Sequence, residues 1–258
     1  MQLGMRWLRQ IFLAIAIWVL VIVSGNITVL SQSPSESLPV LKTHSLPESL
    51  AAWENKPNTG DYFDSVESSP LGYLVWSQFP VKVYLEKPTN TEDVKERVRR
   101  WQEWVTTVRQ AISEWNSYLP LVEIEDREIA DIILVRSPVE REIKLNPDTG
   151  LYDIPRAIAA QTTYDFYLQK ERSILAHRMT VKINPTSVGR SLLATVRHEL
   201  GHALGIWGHS PQETDVLYYS QVREPLPISP RDINTLKKVY QQPTRLGWVI
   251  PRLLKDKR

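Results

Sequence analysis

The chain of 258 residues predicts an α+β fold with five strands and three main helices. Three observations carry that prediction. Between Val94 and Leu119 apolar residues recur at alternating steps of four and three, the mark of a helix with one buried face. Short β-branched runs stand on both sides of that helix. Further along, a second helix with an apolar face carries a histidine pair and a glutamate, with a third histidine just beyond its end.

The elements follow in order. Val81 to Leu85 (V-K-V-Y-L) alternates and is β-branched, so it reads as the first strand. The long helix shows its apolar face at Val94, Val98, Trp101, Val105, Val108, Ile112, Trp115 and Leu119. Asn90 or Thr91 can cap its start and Pro120 ends it. A tryptophan and aliphatic stripe of this kind is core packing rather than a cofactor box. Leu121 to Ile124 and Ala130 to Val135 read as strands. Residues 136–154 read as a polar loop turning at Asn146-Pro147-Asp148-Thr149-Gly150. Residues 157–168, rich in Thr, Tyr and Ala, and residues 179–183 complete the set of strands. Residues 191–204 form the second helix, with Leu192, Leu193, Val196, Leu200 and Ala203 on its apolar face. Ser229-Pro230-Arg231-Asp232 opens the last helix, serine at the cap and proline at the first position.

Composition excludes several classes. The net charge is +2 and no long single-sign run occurs, so nothing points to nucleic acid. With no cysteine, the chain has neither disulfides nor a zinc–thiolate site. Arg6 and Arg9 precede an apolar run from Ile11 to Val23 that continues weakly to Leu30. Residues 1–31 therefore read as an export signal or as an uncleaved membrane anchor. The arginines hold that end in the cytoplasm, so either way the rest of the chain is exported to the periplasm, the medium or the outer side of the membrane. Residues 32–71, rich in Ser, Pro, Glu and Asn, read as a linker. The main domain then spans 72–242, and 243–258 is a tail.

Residues 198–209 read H-E-L-G-H-A-L-G-I-W-G-H. His198 and His202 are four apart, so on a helix they lie one turn apart on one face and can reach the same tetrahedral metal ion. Glu199 is rotated about 100° from His198 and sits beside the metal, where it can polarise a bound water. Gly205 suits a left-handed helix end, after which the chain turns back and His209 can approach the same ion. Of the other histidines, His44 lies in the linker and reads as solvated. His177 is lone and reads as a surface or turn residue.

This segment resembles the metzincin clan of zinc endopeptidases, whose pattern is H-E-x-x-H-x-x-G-x-x-H followed by a methionine turn. His209-Ser210 is most similar to the matrixin branch, where serine follows the third histidine, so the chain resembles a matrixin-like bacterial peptidase of the matrixin/adamalysin type. Two positions depart from the pattern. One extra residue separates Gly205 from the third histidine, which leaves Gly208 at the usual ligand position and requires it to absorb the insertion. Leu217 stands at the Met-turn position, eight residues after His209, where leucine of similar volume can form the same apolar floor.

The resemblance implies a twisted mixed five-stranded sheet with an antiparallel edge strand that holds an extended peptide, and zinc at the cleft. It implies one Zn²⁺ per chain, held by His198, His202 and His209. It further implies that Glu199 would act as the general base for the zinc-bound water in peptide-bond hydrolysis by a monomer. Tyr219 would be either an oxyanion stabiliser or a packed aromatic. Asp232 would bond the backbone of the turn around Leu217. Without cysteine, no cysteine switch can hold such an enzyme latent. The same residues also admit a degenerate metzincin that binds peptides without cleaving, or a membrane-tethered interaction module.

Overall fold

The computed structural model describes residues 38–54, 59–88, 95–140, 144–145, 147, 152–153, 159–169, 171–220 and 225–250. The proposed signal or anchor, the candidate caps Asn90 and Thr91, and most of the turn at 146–150 lie outside them. β1 (Val81–Leu85) buries Val81, Val83 and Leu85 and exposes Lys82, as its alternation requires. It pairs in parallel with β2 (Leu121–Ile124) and with β3 (Ile132–Arg136). Parallel neighbours need a long crossover, and the helix α1 (Lys95–Asn116) lies in the chain between β1 and β2.

The second half of the sheet is a hairpin. β6 (Ala160–Gln169) and β7 (Ile174–Ile183) are antiparallel, and β7 joins β3 in parallel. Among the described residues the five strands form one mixed sheet, ordered β2-β1-β3-β7-β6, with β6 at an edge. The fold is therefore α+β, as the sequence predicts. In the stretch read as a polar loop, β4 (Lys144–Leu145) and β5 (Tyr152–Asp153) make a small antiparallel pair of their own.

α2 (Gly189–Ala203) packs against α1, β6 and β7. Two polar contacts fix its rotation. Trp115 Nε1 of α1 donates to the Arg197 carbonyl at 3.0 Å, and the Arg197 guanidinium forks onto both carboxylate oxygens of Glu114 at 2.6 and 2.8 Å. Such a bidentate pair holds geometry as well as charge. α3 (Pro230–Tyr240) opens with a full capping box between Ser229 and Asp232, and proline occupies its first turn.

Three sequence expectations are corrected. The segment read as a linker is part of the body: Leu50, Tyr62 and Val66 are buried, Trp53 Nε1 donates to Asn234 Oδ1 at 2.9 Å, and Lys42 pairs with Thr244. The described residues from Pro39 to Ile250 accordingly belong to one compact unit, the described part of the proposed tail included. Polar composition hid a few apolar anchors that find a place to bury. His44 is not solvated: its ring stacks on Trp248 at 4.1 Å, and its Nε2 lies 2.8 Å from the Leu246 carbonyl. His177 is not a surface residue. β7 starts five residues earlier than its apolar run suggests, so alternation turns His177 inward onto Trp76, at 3.9 Å between rings. Burial pushes its pKa down to about 3. Among the described residues, no helix is long and apolar enough to cross a membrane.

Candidate metal centre

His198 and His202 sit one turn apart on α2 and face each other, with their Nε2 atoms 3.1 Å apart. Each Nδ1 is 2.8 Å from a backbone carbonyl, that of Val216 for His198 and that of Ile206 for His202. A carbonyl can only accept, so both Nδ1 atoms carry the proton and both Nε2 atoms present lone pairs. Two lone pairs at 3.1 Å cannot bond to one another. They are suited to a shared cation, and ring nitrogens oriented by carbonyls are the usual support for metal-ligating histidines.

His209 completes the group: one ring nitrogen from each of the three histidines falls within 4.8 Å of the others. Three imidazoles are a donor set that fits zinc with a position left open. Burial pushes the pKa of His198 down to about 4 and that of His202 to about 3, and also lowers that of His209. At neutral pH all three are in the uncharged form that ligates.

Backbone geometry brings His209 back. α2 ends in a Schellman turn, in which Ile206 N donates to the Gly201 carbonyl at 3.1 Å and Gly205 N to the His202 carbonyl at 3.0 Å. Gly205 has φ of 123°, and a Cβ there would lie 2.5 Å from the Leu74 carbonyl oxygen. Gly208 has a second reason to be glycine beyond absorbing the extra residue. Ser65 and Val66 cross it so closely that a Cβ would fall 2.0 Å from the Ser65 carbonyl oxygen. Glu67 N then donates to the Trp207 carbonyl at 2.8 Å, so the 65–67 segment braces the loop.

Leu217 is fully buried beneath the helix, in contact with Gly201, where an added Cβ would lie 2.4 Å from Leu217 Cδ2. Its turn is held by Asp232, which accepts from Val216 N at 3.0 Å and Leu217 N at 3.5 Å. Tyr62 OH donates to the same carboxylate at 2.6 Å. Burial pushes the Asp232 pKa up, against the pull of these donors. Beside it Asp215 accepts from Ser210 and Ser229 and pairs with Arg231 at 2.9 Å.

Glu199 is only 8% exposed. Thr162 Oγ1 on the edge strand donates to its Oε2 at 2.6 Å. Burial raises the Glu199 pKa to about 7, with Thr162 pulling the other way. The carboxyl is thus poised to take or give a proton near neutral pH.

Two hollows meet at Ala160, His198 and Glu199. One, about 270 Å³, is walled by Ala194, Thr195, Val216 and Tyr218. The other, about 390 Å³, is walled by Glu67, Gln161, Trp207 and His209. Tyr219 is 66% exposed at the rim of the first hollow, its ring 4.5 Å from that of Tyr218.

Thr162, Arg197 and Glu67 are the site residues that sequence reasoning missed. Thr162 is 37 residues from Glu199 and Arg197 is 83 from Glu114. Neither separation leaves a local or periodic signal.

Comparison of the chain with protein-family models gives no match, and neither does comparison with curated proteins.

Proposed function

We propose that the protein is a zinc-dependent endopeptidase of the metzincin type, active outside the cytoplasmic membrane. The observation that carries this is the convergence of His198, His202 and His209, two of them oriented by carbonyls, beside the buried carboxyl of Glu199. The arginine-flanked apolar run at the N-terminus supports export.

When bound by the three histidines, zinc would supply a Lewis acid for the peptide carbonyl and lower the pKa of water toward ~7. The chain's own residues do the rest. With Thr162 Oγ1 bonded to its Oε2, the Glu199 carboxylate receives the proton of the attacking water and passes it to the leaving nitrogen. β6 is an edge strand, so its unpaired backbone groups can take an extended peptide as an added strand. That strand runs past Glu199 at Ala160 to Thr162, which sets the scissile bond between the two hollows. Tyr219, exposed at the rim, can swing toward a developing oxyanion without breaking core packing.

The test is cleavage of a mixed peptide library by the full-length protein in mild detergent, with and without a zinc chelator. Internal cuts that vanish with chelator and return with zinc are the expected result. A zinc-loaded protein that cuts nothing would replace this reading with the non-cleaving binder.

A further inference from the structure

The two hollows differ in chemistry. Among their described walls, the first has no carboxylate, lysine or arginine beyond the shared Glu199. The second carries one further acid, Glu67. Glu67 is exposed and makes no ion pair among the described residues. Its position is nonetheless fixed, because its own N–H donates to the Trp207 carbonyl at 2.8 Å and the preceding Val66 bridges Gly208. Glu67 is not part of the three-histidine group, so its charge is not spent on the metal position.

Trp207 lines the same hollow, its ring held by T-shaped contacts with Tyr164 at 5.0 Å and His202 at 5.8 Å between ring centres. A carboxylate beside an indole is a pairing that recognises a cation: the acid supplies charge and the ring supplies a π face.

We infer that the cleft selects peptides with a lysine or arginine on the side of the scissile bond that Glu67 and Trp207 line. Arginine should be favoured over lysine, because its planar guanidinium can stack on Trp207 and fork onto Glu67 together. This rests on the endopeptidase reading for its chemistry, but the recognition step does not need cleavage.

Two measurements test it. Full-length zinc-loaded protein is given peptide pairs that differ only by Arg, Lys or Gln at each position within three residues of the cut, and kcat/KM is compared. The same fluorescent peptides are titrated against the Glu199→Ala protein, so that binding is read without turnover.

A preference of about fivefold or more for the cationic peptides, on one side of the cut only, is the expected result. That ratio should collapse in Glu67→Gln, invert toward acidic peptides in Glu67→Lys, and shrink as salt is raised. Equal handling of Arg and Gln peptides in both measurements would overturn the inference, as would a preference that survives Glu67→Gln. If the wild type cuts nothing while Glu199→Ala still binds cationic peptides through Glu67, the recognition site stands and the protease reading fails.

Discussion

His198 and His202 stand on a helix packed against α1 and the sheet, and each has one ring nitrogen committed to a carbonyl. His209 stands on a loop, its residue exposed, with no side-chain hydrogen bond among the described residues. The first two are thus pre-organised and the third is brought in by the backbone path alone. A pre-organised ligand pays little ordering cost on binding, and a loop ligand pays more. The contrast extends outward. The helical pair is supported by Arg197, Trp115 and Glu114, and the loop by Ser65 to Glu67, a segment that composition alone would assign to a linker.

The largest effects should come from the histidines themselves. His202→Ala should lower zinc affinity by more than about 100-fold, beyond the cost of losing an orienting group. His209→Ala should also weaken binding, but by less, because a water can take the loop ligand's place at smaller cost. Competition against a chromogenic chelator reads both. Equal losses would mean the loop is as rigid as the helix, and an unchanged His209→Ala would remove the third ligand.

Asp232→Ala should come next. It strands Tyr62 OH and Val216 N in the interior, at a cost of roughly 3 kcal/mol in denaturant unfolding. Because the Val216 carbonyl orients His198, zinc affinity should fall about tenfold as well. Loss of stability with affinity intact would show that the turn holds its shape without the aspartate.

Thr162→Val gives a smaller and more specific effect. Thr162 pulls the Glu199 pKa down against burial, so its removal leaves the carboxyl protonated to higher pH. The acidic limb of kcat/KM should move up in pH, and activity near neutrality should drop roughly tenfold, the worth of one charge-assisted hydrogen bond. Zinc content should not change. A limb that stays in place or moves down would contradict the geometry.

What the sequence made legible follows from where the signals live. β1 and β2 fall where alternation and the flanking breakers put them, and the Ser229 cap was readable because a capping box is a four-residue pattern. The placing of His198 and His202 on one face of a helix was readable because it follows from a spacing of four. The early start of β7 was not, since Ile174 to Arg178 mixes a histidine and an arginine into an otherwise inward-facing alternation. Nor was the burial of Leu50, Tyr62 and Val66, which are too sparse in their polar segment to show a period. Thr162, Arg197 and Glu67 became site residues only when the chain folded strands and loops from distant positions onto α2.

The most direct test of the account is Glu199→Ala in the full-length protein. Zinc content by elemental analysis should stay near one per chain, and thermal stability should hold. Cleavage of the best library peptide should fall by 10²- to 10⁴-fold or more, the usual cost of losing a general base. A mutant that keeps wild-type turnover would contradict the assignment of Glu199 and make Tyr219 the next residue to test.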